Sequence, residues 1–133
     1  LQSELQVVIH ANDILKIQKL VRAVSCPDHV AEYAIRMARM SRLERGQEGD
    51  KAIPDFIRQY VEWGAGPRAG QYLILGAKAK ALMDGRPHIS EADIKAVAYP
   101  VLRHRIIVNF NAEADGLTST HVIDRIIEAL EPR

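Results

Sequence analysis

Apolar residues recur every three or four positions along most of this chain, the repeat of helices with one face turned inward. Ile14, Ile17, Leu20/Val21 and Val24 form the first stripe, with Lys16, Lys19 and Arg22 on the other side. Asn12 is placed to cap that helix, and Asp13 suits its first turn. Ser25-Cys26-Pro27-Asp28 punctuates the pattern, and Pro27 suits a first helical position. Val30, Tyr33/Ala34, Met37 and Met40 make the second stripe, backed by Arg36, Arg39 and Arg42. The pattern then lapses. Ser41 to Ala52 is polar, carries Gly46 and Gly49, and reads as an exposed loop. Phe56, Ile57, Tyr60, Val61 and Trp63 are too few to separate a short helix from an extended approach to Gly64.

The longest helical pattern runs from Pro67 to Asp84, with Gly85 placed as its left-handed stop. Ala69, Gly70, Gly76, Ala77, Ala79 and Ala81 within it would let neighbouring helices pack closely. Ser90 with Asp93 three residues on marks another helix start, with Ile94, Val97 and Ala98 inward. Pro100 should break that helix near Tyr99, because proline lacks the amide and crowds the preceding turn. A short helical turn from Val101 to His104 is expected to follow. Ile106-Ile107-Val108 is β-branched and fits a strand or an extended linker. Asn109 to Gly116 reads as a loop. Thr118 or Ser119 then caps a last helix with Val122/Ile123, Ile126/Ile127 and Leu130 inward. These patterns predict an all-α fold, a small bundle of five or six helices with little or no sheet.

Length changes little in this picture: 133 residues fit one domain with a real core. Residues 1–10, with the short run Val7-Val8-Ile9, read as a lead-in, and residues 11–133 as the domain. Charge narrows the function. Eighteen Lys+Arg against 17 Asp+Glu give a net charge of +1, which disfavours a nucleic-acid binder that relies on a strong basic field. Cys26 is the only cysteine, so there is no internal disulfide, in keeping with a reducing, cytoplasmic setting. No apolar run approaches the roughly 18 residues of a membrane helix. The chain has no G-x-x-x-x-G-K-[ST] loop and no H-E-x-x-H or paired-cysteine pattern.

Trp63-Gly64-Ala65-Gly66-Pro67-Arg68-Ala69 carries the most chemistry. Two glycines break the chain, and Pro67 presets the first helical turn. Arg68 stands in that turn. The free N–H groups and positive dipole end of a helix attract anions, and a guanidinium beside them adds a fork that matches phosphate or carboxylate. An arginine there works against the helix dipole, so helix stability alone would not select it.

Gly64-Ala65-Gly66-Pro67-Arg68-Ala69 resembles the G-A-S-P-R-A motif of the MoxR family of AAA+ ATPases. Three further stretches are similar to that family, in its order: Asn12-Asp13-Ile14-Leu15 with Ile17-Gln18, Ile89-Ser90-Glu91-Ala92-Asp93-Ile94, and Val101-Leu102-Arg103-His104-Arg105-Ile106. The part resembled is the C-terminal helical lid, and the Walker A and Walker B segments would lie before Leu1. The resemblance implies that Arg68 is the sensor-2 arginine, reaching the γ-phosphate of ATP from a surface that includes Gly66 and Pro67. It implies ATP and Mg2+ in the full-length protein, with neither bound and no hydrolysis by the lid alone. The implied partners are the protein's own N-terminal ATPase core, neighbouring subunits of a ring (a hexamer), and a von Willebrand factor A-type protein. The implied activity is chaperone-like remodelling of partner proteins driven by ATP hydrolysis. Gly66 stands where the family has serine, which predicts a looser turn. A stand-alone helical module that binds protein or DNA is the alternative.

Other residues have plainer readings. Arg103, His104 and Arg105 could meet nucleotide or a neighbouring subunit, or could bond helix ends. Arg36, Arg39, Arg42 and Arg45 fit a solvated face, with a subunit or substrate contact as the other reading. Cys26, His10, His29, His88 and His121 read as structural or surface residues, and Trp63 and Tyr72 as core aromatics flanking the motif, with an adenine-facing role for either as the alternative. Asp13, Asp93 and Glu91 read as first-turn helix charges.

Overall fold

The computed structural model describes residues 6–43 and 54–131. The loop expected over Ser41–Ala52, with Arg45, lies mostly outside the described residues, as does the first half of the lead-in. The described chain runs through α1 (Ala11–Ala23), α2 (Asp28–Met40), α3 (Asp55–Tyr60), β1 (Val61–Trp63), α4 (Arg68–Met83), α5 (Glu91–Leu102), β2 (Ile107–Val108), α6 (Phe110–Ala114) and α7 (Ser119–Leu130). The all-α expectation holds, with seven helices among the described residues and one two-stranded antiparallel ribbon. None of these helices is long and apolar enough to cross a membrane.

The bundle is built on α4. Ala69, Leu73, Ala77 and Ala81 recur every fourth residue and are fully buried. Ile94, Ala98 and Leu102 form a matching row on α5, and α2 supplies Val30, Ala34, Met37 and Ala38. Rows of this spacing interdigitate when helices cross, and the alanines let α5 and α2 approach α4 closely. Val122, Ile123, Ile126 and Leu130 of α7 complete the core. Burying each of Leu73, Met37, Ile94, Ile123 and Ile126 stabilises by roughly 1.5–3 kcal/mol.

The turns fix the layout. Gly85 adopts φ 71°, and the Arg86 N–H donates to Ala81 O at 2.8 Å, the left-handed stop expected for α4. Ser90 donates its amide and its hydroxyl to Asp93 Oδ2, each at 2.8 Å. Arg86 clamps the same carboxylate with both terminal nitrogens, at 2.5 and 2.8 Å. First the Arg86 guanidinium, then the Ser90 donors, hold the Asp93 carboxyl well below the usual carboxylate range, against the opposing effect of burial. Asp93 is thus a helix-start charge, as expected, and Arg86 is its unforeseen partner. The Ser25 N–H donates to Pro87 O at 2.9 Å and the Ile89 N–H to Ser25 O at 3.1 Å, tying the α1–α2 turn to the α4–α5 turn.

Several local expectations are corrected. Helix α5 runs through Pro100 without a break. Pro100 and Ala96 are both exposed, so the carbonyl freed four residues before the proline is on the solvent side and can bond water. Residues 110–114 form α6 rather than a loop, because the Asn109 side chain accepts the Ala112 N–H at 3.1 Å and starts a helix. His10, not Asn12, caps α1, and its amide donates to Asp13 Oδ2 at 3.3 Å. Pro27 is the cap of α2 rather than its first helical residue. Most of the α1 stripe is not buried: Ile14, Ile17 and Leu20 remain 43–56% exposed, Val21 is half-buried, and only Val24 at its end joins the core. Among the described helices α1 packs chiefly on α4, which covers little of its apolar stripe.

The two segments left open resolve as a pair. Phe56–Trp63 is a short helix followed by a strand, and that strand pairs with Ile107–Val108. Asn109 donates its amide to Tyr60 O at 2.9 Å and its side-chain nitrogen to Gln59 O at 2.8 Å. Tyr60 donates to Asp115 Oδ2 at 3.0 Å. The ribbon is therefore anchored just ahead of the glycines.

Candidate functional site

Arg68 sits in the first turn of α4 and is exposed. Pro67 has helical dihedrals, φ −55° and ψ −33°, and the Ala69 N–H donates to Gly66 O at 2.9 Å. By backbone conformation Pro67 is the first helical residue and Gly66 the cap, as the sequence suggests. Among the described residues Arg68 has no hydrogen-bond or ion-pair partner. A long cation with no partner among those residues, at the dipole end that repels it, is available to an anion from outside.

The loop that presents it is held from behind by the end of α2. The Ala65 N–H donates to Ser41 Oγ at 2.9 Å, and the Ser41 hydroxyl donates to Ala38 O at 2.8 Å. Arg42 Nε donates to Ala65 O at 2.6 Å. Ser41 and Ala65 are both fully buried. Gly64 is required by this contact and not by its dihedrals, which lie outside the left-handed region. A Cβ there would stand 2.1 Å from Ser41 O and 2.7 Å from Arg42 Cα. Gly66 is different, since a Cβ there would meet nothing within 4 Å. A serine would fit, so the glycine in its place leaves the turn braced by Ser41 and Arg42. Nothing in the sequence marks these two bracing residues. By spacing Arg42 belongs to a solvated stripe, and Ser41 opens a polar loop.

Trp63 and Tyr72 are not core residues; they are 65% and 47% exposed. An irregularity in the ribbon between Val61 and Trp63 shifts the register, so Trp63 escapes the inward side that Val61 occupies. Tyr72 lies one residue off the buried stripe of α4. Trp63 lines a cavity of about 460 Å3 with Arg42, Gly66 and Pro67. On another side of α4 a groove of about 550 Å3 opens between α1, α4 and α5, lined by Ile17, Val21, Tyr72, Leu75, Val101 and Arg105 among others.

The basic triplet divides. Arg105 stacks over the Tyr72 ring at 5.0 Å, contacts His104 and donates to Val101 O at 2.6 Å, so it holds the C-terminal end of α5. Arg103 and His104 are exposed, and the Arg103 carbonyl accepts the Ser119 hydroxyl at 3.0 Å. Cys26 is half-buried, with its thiol 3.8 Å from Pro27 O. The His121 ring accepts the Thr118 N–H at 3.0 Å at the start of α7. No group of three His, Cys, Asp or Glu among the described residues could hold a metal ion.

Known proteins are similar to this chain in sequence and fold. The family model for the AAA lid domain matches residues 55–126, more than half of the chain, from α3 through most of α7. The chain belongs to the AAA lid domain family. This lid domain is 25% identical over 123 residues to Chaperone MoxR1 of Mycobacterium tuberculosis, covering 92% of the chain and 31% of that protein. It is 37% identical over 49 residues to Protein MoxR of Paracoccus denitrificans, covering 37% of the chain and 14% of that protein. A crystal structure of a candidate ATPase from Cytophaga hutchinsonii superposes with a TM-score of 0.78 at 32% identity, over 90% of the chain and 35% of that chain. The resemblance to the lid of a MoxR-family AAA+ ATPase therefore holds. The lid domain spans about a third of the length of the relatives it matches most extensively.

Proposed function

We propose that this lid closes over ATP held by a nucleotide-binding core and that Arg68 is the sensor-2 arginine, directed at the γ-phosphate. The observation that carries the reading is an exposed arginine, without a partner among the described residues, on a helix start braced by two buried hydrogen bonds and one half-buried one. The residues present suit a phosphate: one guanidinium, the first-turn N–H groups of a 16-residue helix, and open space beside Gly66. In this reading Mg2+ is held by the core, where it neutralises charge on the phosphates.

Phosphoryl transfer depends mainly on positioning and on neutralising charge. Arg68 would add a positive fork on the lid side and would register the loss of the γ-phosphate as lid movement. The lid alone has no phosphate-binding loop and would not hydrolyse ATP. The full protein would act as a cytoplasmic ATPase, its subunits arranged in a ring of hexameric type, and would remodel partner proteins. A von Willebrand factor A-type protein is the partner expected from the family. The test is ATP turnover by the core-containing protein with Arg68→Ala. Turnover should fall by roughly 10–1,000-fold, below the ~10³–10⁵ reached by arginine fingers elsewhere. Turnover at the wild-type level would overturn the assignment.

A further inference from the structure

We infer that Ser41 and Arg42 are positioning residues for Arg68, so that the end of α2 sets where the sensor arginine points. The inference rests on the reading of Arg68 given above and extends it to residues that meet no nucleotide.

The loop from Gly64 to Pro67 has almost nothing of its own with which to hold a shape. Two of its four residues have no side chain, and the other two are alanine and proline. Its fixed points come from elsewhere. Both polar backbone groups of Ala65 are satisfied by side chains of consecutive residues: the N–H by Ser41 Oγ and the carbonyl by Arg42 Nε. Ser41 is in turn locked to Ala38 O, a carbonyl of the last turn of α2. Gly64 lets the two backbones meet without a Cβ between them. Three residues after Ala65 comes Arg68. Its guanidinium lies at the end of a long side chain, so a small rotation of the helix start is amplified at the charge. Catalytic groups must be held within about 0.5 Å of the productive geometry, and a misplacement of about 1 Å can cost about 100-fold.

Arg42 could instead act through its charge, and two substitutions separate the possibilities. Glutamine carries a donor nitrogen the same number of bonds from the backbone as arginine Nε, so Arg42→Gln keeps the bond to Ala65 O and removes the charge. Arg42→Met removes both. In the core-containing protein, Arg42→Met and Ser41→Ala should each lower kcat by about tenfold, within the ~100-fold set by such misplacement. Arg42→Gln should stay within about twofold of wild type, since the hydrogen bond that fixes the loop remains. ADP affinity should not change in any of them, because ADP has no γ-phosphate for Arg68 to meet. In an Arg68→Ala background neither Arg42→Met nor Ser41→Ala should lower kcat further, the non-additivity expected of residues that act through one another.

The inference is overturned if Arg42→Met and Ser41→Ala turn over ATP at the wild-type rate. It is overturned equally if Arg42→Gln falls as far as Arg42→Met, or if the losses multiply with that of Arg68→Ala. Should Ser41→Ala not fold, the three Arg42 comparisons decide alone. Failure of the sensor reading itself looks different: Arg68→Ala would then keep the wild-type rate, whatever Ser41 and Arg42 do.

Discussion

Replacing Gly64 with alanine adds one methyl group at the point where the motif loop meets the end of α2. Its Cβ would stand 2.1 Å from Ser41 O, 2.6 Å from Ser41 C and 2.7 Å from Arg42 Cα. All three are backbone atoms, so no side-chain rotation relieves the clash and the two segments must separate. Overpacking of this kind costs about 1–3 kcal/mol. Separation also stretches the Ala65 bonds to Ser41 and Arg42, at about 1 kcal/mol each. Together these predict a loss of about 3–5 kcal/mol, or a fall of about 10–20 °C in Tm for a domain of this size. Gly66→Ser, two residues away, meets no atom within 4 Å and should stay within about 0.5 kcal/mol of wild type or gain slightly, since serine caps at least as well as glycine. Urea denaturation of the three proteins, with a common m-value, measures both differences. Equal stability of Gly64→Ala and wild type would refute the close approach of α2 to the motif.

Three further substitutions test the fold. Gly76 faces Val97 of α5, where a Cβ would sit at 3.4 Å, an ordinary contact, so Gly76→Ala should raise stability by up to about 1 kcal/mol through helix propensity, seen as a higher urea midpoint. Tyr33 is buried with no partner for its hydroxyl among the described residues; Tyr33→Phe should leave the midpoint unchanged or raise it, because an unmade buried hydrogen bond contributes nothing to lose. Asp93 has a carboxyl pKa depressed in the folded state by Arg86 and Ser90, so its contribution is complete above the unfolded value of about 3.9 and is lost as pH falls through the folded value. Asp93→Asn should therefore cost about 2–3 kcal/mol at pH 7 and progressively less below about pH 4, as measured by denaturation across that range.

The helices that face a partner on two sides are readable from spacing alone. The Val30–Met40 stripe, the alanine-rich helix after Pro67 and the Val122–Leu130 stripe are where the pattern places them. The departures have physical causes. Pro100 lies on an exposed face, where a lost backbone bond can be replaced by water, and nothing in a single sequence marks that face. Asn109 reads as a loop residue because its capping of α6 shows only once Ala112 is folded above it. Trp63 turns outward through a register irregularity, which alternation cannot foresee. Arg68 is legible because proline and glycine punctuate its helix start. Ser41 and Arg42 are not, because their role rests on a contact across 23–24 residues with a loop that has hardly any side chains.

In the proposed role Arg68 acts on the γ-phosphate rather than on folding or on the base. The most direct measurement is single-turnover ATP hydrolysis by the core-containing protein, wild type against Arg68→Ala, with ATP and ADP affinities taken on the same samples. The Arg68→Ala protein should show a slower hydrolysis step with ADP affinity unchanged. Hydrolysis at the wild-type rate, or an equal loss of ADP binding, would contradict that role.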